Sequence, residues 1–162
     1  MKVFNHDLAG GYFPDKEEAY NYNEDDPDAE LYSILNQMEE FRKDGVFHIR
    51  QCYPTLTSFD PPCNEWTQSS NFAEEEAISD FKPITINWED LYSWSPGKFN
   101  GLKKARQSWP YYFVESTYWW FALGFRWSWW GGISQSYPTY VTKVELYLAA
   151  GMKSTQYIVE HY

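Results

Sequence analysis

The chain has 162 residues, 23 acids against 13 bases, a formal charge of −10 and a pI near 4.7, and 21% of it is aromatic. Such a charge argues against nucleic acid as a partner, because that affinity comes mainly from Lys and Arg neutralising phosphates. The length suits one domain, 1–162, and the densest apolar stretch, 119–133, is broken by Gly124, Arg126, Gly131 and Gly132, short of the roughly 18 apolar residues that span a bilayer.

Lys2 to Asp7 carry no apolar secretory signal, so the chain is either intracellular or begins after a removed leader. Val3 and Phe4 suit an edge strand. Between Asp15 and Asp44 stand eleven acids and three bases, a density tolerable on a solvated helix face. Asp26 before Pro27 reads as a helix start, and Leu31, Ile34, Leu35, Met38 and Phe41 form one apolar stripe. Arg42 and Lys43 suit the negative end of the dipole and Gly45 a left-handed stop, which predicts a helix over 27–43.

Beyond it the period changes to two. Strands are predicted at 46–50, 81–88, 111–115, 118–126 and 140–149, with a further edge strand at 157–159. In 81–88 the alternation of Ile84, Ile86 and Trp88 gives one covered face. In 140–149 the face of Thr142, Val144, Leu146 and Leu148 is the one to bury, against Val141, Lys143, Glu145 and Tyr147. Long loops between strands, with one helix, favour an antiparallel β-sandwich carrying a helical N-terminal elaboration over a parallel sheet. Cys52 and Cys63 flank a loop stiffened by Pro54, Pro61 and Pro62 and suit a disulfide, with two buried thiols as the alternative.

Eight of the nine tryptophans lie between Trp88 and Trp130. Each ring buries roughly 150–250 Å², more in total than a core of this size absorbs, so some are expected to meet a partner. Trp127, Trp129 and Trp130 lie against Gly131 and Gly132, with Arg126 among them, where rings are presented rather than enclosed. Three partners fit: carbohydrate, whose ring faces stack on Trp or Tyr; a long apolar small molecule such as a carotenoid in an aromatic groove; or another protein, including a second copy of this chain.

Catalytic chemistry has little to build on. The histidines are His6, His48 and His161, with no nucleophile elbow. His6 and Asp7 are adjacent, so on an extended segment they point to opposite faces, and His48 reads as a packed or edge residue. Glu65, Glu89, Asp90 and Glu115 supply carboxylates among tryptophans, as a glycosidase would need, but sequence spacing sets no distance between them. Glu65, beside Trp66, stands out as an acid able to anchor loops or accept hydroxyl hydrogen bonds. Asn21, Asn23, Glu24, Asp25, Asp26 and Asp28 offer the hard oxygens Ca²⁺ prefers, without the spacing of an EF-hand loop. The residues fix no cofactor; Ca²⁺ and a bound apolar chromophore are the two they admit.

The run Cys63-Asn64-Glu65-Trp66-Thr67-Gln68-Ser69-Ser70-Asn71 resembles a module of secreted proteins from marine invertebrates, of fibrinogen-like and skeletal-matrix type. Also shared are Phe4, His6 and Asp7, the Leu31 to Leu35 stretch, Cys52-Tyr53-Pro54, Trp119-Trp120, Gly124, Trp130-Gly131-Gly132-Ile133 and Val141 to Tyr147. The chain departs from that pattern at Phe72, where a proline is expected, and between Ser134 and Tyr140, where a loop richer in proline and glycine is expected. The resemblance implies an extracellular address and a Cys52–Cys63 bridge, and carries no activity with it.

These readings converge on a secreted, mainly β module that binds rather than catalyses. Its expected recognition residues are Trp127, Trp129 and Trp130 with Arg126, and a loop carrying Trp66 and Gln68. Carbohydrate or glycoprotein is the first expected ligand and an apolar chromophore in a groove or oligomer interface the second.

Overall fold

The computed structural model describes residues 1–11, 13–14, 18–55, 62–87, 90–92, 95–104, 113–115, 118–123 and 143–149; at 8, 90–92, 95–98, 113–115 and 118–123 it describes the backbone alone. Among them the chain is mainly β. Strands β1 (Lys2–Asp7), β2 (Leu31–Ser33), β3 (Phe47–Cys52), β4 (Cys63–Gln68), β5 (Lys82–Thr85) and β11 (Lys143–Leu148) form one antiparallel sheet in the order β2-β1-β11-β3-β4-β5. Shorter strands β8 (Leu102–Lys104), β9 (Phe113–Glu115) and β10 (Tyr118–Leu123) make a second sheet, and β6 (Asp90–Tyr92) pairs with β7 (Ser95–Lys98).

Period-two alternation assigns the faces of the large sheet. Val144, Leu146 and Leu148 are buried, as the sequence predicts, and pack with Phe4, Phe47, Ile49 and Trp66. Opposite them Lys143, Glu145 and Tyr147 are half-buried. β1 is not the edge strand its short apolar run suggested; it lies between β2 and β11, with Phe4 opposite Leu146 and Ser33. β5 occupies an edge instead. It carries Lys82 and Pro83, which blunt an edge against further pairing, and its Ile84 is 51% exposed rather than covered.

The helix expected over 27–43 is absent. Asp26 does act as a local cap, but of a turn: its carbonyl accepts from Ala29 N at 3.0 Å and its carboxylate from Asp28 N at 3.2 Å. The chain then enters β2, where Leu31, Tyr32 and Ser33 are all buried, a two-sided burial that one helical stripe cannot supply. A 3-10 helix follows over Leu35–Phe41, burying Leu35, Met38 and Phe41 at intervals of three, which match its three residues per turn. Gly45 does take a positive φ, 83°, but with Asp44 at 53°, so the pair closes a hairpin turn between Lys43 and Val46. Asp-Gly favours that mirror-image turn because both central residues sit at positive φ.

Cys52 and Cys63 form a disulfide, with Cα atoms 4.1 Å apart. They face each other across β3 and β4, and the next pair outward, Tyr53 N–H to Pro62 O at 2.9 Å, is hydrogen-bonded. That places the cysteines at a non-hydrogen-bonded pair, where side chains approach most closely. Replacing both by alanine is expected to cost about 2–3 kcal/mol, the entropy of closing so short a loop. Urea unfolding of the double variant measures it, and an unchanged midpoint would show that the strand pair holds without the bridge.

Candidate functional site

The opposite face of the β11-β3-β4 centre gathers ionisable side chains. Register sets Lys2 against Tyr147, Tyr147 against Arg50, Arg50 against Glu65 and Glu65 against Thr85, so one row crosses five strands. The next row carries His48 and Thr67. These residues face away from the core because their neighbours Ile49, Trp66, Leu146 and Leu148 face into it. Further along the sheet this face is covered. Asn5 Nδ2 donates to Ala29 O at 2.8 Å and to Glu30 O at 3.3 Å, and Lys2 Nζ donates to Pro27 O at 3.4 Å, so the acid-rich turn straps the β1-β2 end.

Charges here are paired in part. Lys2 Nζ lies 2.7 Å from Glu145 Oε2, and His48 Nε2 lies 3.1 Å from Glu65 Oε1. His48 is on an interior strand, neither packed in the core nor at an edge. Burial, with the Glu145 charge beside it and a hydrogen bond to the Glu145 carboxylate, pushes the Tyr147 phenol above the usual range, against the pull of Arg50, so it stays protonated and donates to Glu145. The Arg50 side chain has no ion pair and no hydrogen bond among the described residues. The other arginine of this region differs. Arg42 makes two bonds to Glu39, at 2.8 and 3.0 Å, donates to Gly45 O and Ser69 O, and lies 4.2 Å from the Phe47 ring centroid. Arg42 ties elements together; Arg50 presents its donors.

Trp66 and Gln68 belong to a central strand and not to a presented loop, and both are fully buried. The indole Nε1 donates to Gln68 Oε1 at 2.8 Å and its ring meets Phe99 edge-on at 4.7 Å. Gln68 Nε2 donates to Ser70 O, Ser70 Oγ and Leu102 O at 2.9, 3.1 and 3.0 Å, while Oε1 also accepts from Leu102 N at 3.1 Å. Gly101, at φ 110°, permits this approach, since a Cβ there would come within 2.7 Å of Gln68 Oε1. The expected surface role of Trp66 and Gln68 is therefore corrected: they pin β8 to the large sheet. Trp127, Trp129, Trp130 and Arg126 lie outside the described residues, as do Trp88 and the expected strand at 157–159.

Comparison with known proteins gives no match: no family model, no curated protein and no solved structure. The site is read from its own atoms. Asp7 and His6 do point apart, with the Asp7 carboxylate accepting from Ala9 N at 2.9 Å and His6 buried in the core. In the acid-rich segment, Asn21 Nδ2 donates to Glu24 Oε2 and Asn36 Oδ1, both at 3.2 Å, and Asn23 Nδ2 to Leu31 O at 2.8 Å. Among the described residues no three His, Cys, Asp or Glu converge as metal ligands, and no helix is long and apolar enough to cross a membrane. What the opposite face offers is a phenol, a guanidinium, a carboxylate, an imidazole and a hydroxyl within two rows. Arg50 and Tyr147 escaped the sequence reading as site residues, although the alternation of 140–149 already set Tyr147 away from the core.

Proposed function

We propose that this chain is a secreted, non-enzymatic β module that recognises carbohydrate on glycoproteins. The observation that carries the reading is the distribution of rings. Among the described residues the core takes one tryptophan, Trp66, while the other eight fall in 88–130. In this reading Trp127, Trp129 and Trp130 form the apolar platform on which a sugar ring stacks. Arg126 bonds hydroxyls at its edge. The disulfide supports an extracellular address, since such bonds persist in oxidising compartments, and so does the resemblance to secreted invertebrate modules.

The double substitution Trp129→Ala with Trp130→Ala is expected to weaken glycan retention at least tenfold with the melting temperature kept. Glycan-array binding and thermal unfolding of the same samples check it. Loss of folding would assign those rings to packing, and undiminished retention would move recognition elsewhere. Visible absorbance or extractable lipid in protein from its natural source would replace the saccharide by an apolar chromophore.

A further inference from the structure

Resting on that carbohydrate reading, we infer that the opposite face of the large sheet binds an acidic saccharide, with Arg50 receiving the carboxylate of a uronic acid. Arg50 stands on an interior strand, half-buried, between Tyr147 and Glu65 in the same row. A guanidinium carries five donors in a planar fork that matches a carboxylate, and among the described residues none of the five is used. Its neighbouring acids are engaged elsewhere: one oxygen of Glu65 lies 3.1 Å from His48 Nε2 and Glu145 lies 2.7 Å from Lys2 Nζ. Among the described residues the Arg50 guanidinium is therefore left without a directly bonded carboxylate.

The surroundings choose a saccharide over a peptide. β11, β3 and β4 each have a strand on both sides, so their backbone groups serve the ladder and no extended peptide can add there. Only side chains speak on this face. They are polar: the Tyr147 phenol oxygen, whose proton goes to Glu145, the second oxygen of Glu65, the Thr67 hydroxyl, and Lys82 opposite Thr67. Strands lie about 4.8 Å apart, so Tyr147 and Glu65 flank Arg50 across roughly 10 Å, a flat span suited to hydroxyls on either side of one carboxylate. The net negative charge disfavours a polyanion, which it repels as a whole, and leaves an oligosaccharide with a single uronic acid as the occupant.

Calorimetric titration tests this with two oligosaccharides, one ending in glucuronic acid and its counterpart ending in glucose, on the whole chain and on Arg50→Gln and Arg50→Lys. The acidic sugar is expected to bind about ten- to hundredfold more tightly than the neutral one, as a charged hydrogen-bonded pair implies. Arg50→Gln should erase that preference and Arg50→Lys should keep part of it, both with little change in melting temperature because the Arg50 side chain makes no ion pair or hydrogen bond among the described residues. A preference that survives Arg50→Gln, or equal affinity for both sugars, overturns the assignment while the carbohydrate reading stands. Failure of the acidic sugar to bind overturns the assignment, whereas the carbohydrate reading falls only if the glycan array also shows no retention. Acetate competing as well as glucuronate would show a bare carboxylate site and overturn the saccharide as occupant.

Discussion

Trp66→Ala is expected to destabilise the protein by about 3–5 kcal/mol, the range for removing a fully buried large aromatic, out of a total stability of ~5–15 kcal/mol for a typical domain. The loss has two parts. The ring fills the core between Ile49, its register partner on β3, and Phe99, and its removal leaves a cavity there. It also deprives Gln68 Oε1 of the indole donor, disturbing the side chain that holds Leu102 on both its N–H and its carbonyl. Trp66→Phe should therefore cost less, since it restores most of the volume and loses only the hydrogen bond. Chemical denaturation of the three proteins measures the series. Equal stability of Trp66→Ala and the unaltered chain would place the ring at a surface and restore the expectation that it binds ligand.

Acid should weaken the fold through His6. Its ring is buried, Nε2 donates to Gly11 O at 2.8 Å, and Phe13 meets it edge-on at 5.6 Å. Burial holds its pKa down at about 4 from 6.5, against the Gly11 bond and the Asp7 charge, which both raise it. Above 6.5 the ring is neutral whether the chain is folded or not, and the fold keeps its full stability. Between 6.5 and 4 only the unfolded chain takes the proton, so stability falls with pH, and below 4 the loss levels off at about 3 kcal/mol. His6→Gln retains a donor for Gly11 and has no proton to take, so its unfolding midpoint should change less between pH 7 and pH 4.5. The carboxylates titrate in both proteins and cancel in the comparison. Parallel curves for the two proteins would remove His6 from the acid response.

How much of this was legible depends on whether hydrophobic alternation coincided with burial. In β11 it did: Val144, Leu146 and Leu148 alternate with Lys143, Glu145 and Tyr147, and both faces follow. The paired cysteines were equally readable. β4 was not, because the side chains it buries include Asn64 and Gln68, polar groups satisfied by Asn87, Ser70 and Leu102, contacts distant in sequence or visible only in the fold. The segment 27–43 misled for a related reason. Apolar residues three and four apart fit an α-helix and equally a strand followed by a 3-10 helix, and pairing of Leu31–Ser33 with β1 decides between them. Asp44-Gly45 was the available local clue, since that dipeptide signals a hairpin more strongly than a helix end. For the candidate site, Glu65 was singled out in sequence, whereas Arg50 acquires meaning only when the register sets it beside Tyr147 and leaves it unbonded.

The placing of β11 between β1 and β3 governs how the protein can be made. During synthesis the first and third strands emerge long before the segment that must lie between them, and until then they stand as two half-sheets with their inner edges bare. Assembly must wait for a late piece to thread the middle, a slow, high-separation step during which those edges invite pairing with other nascent chains.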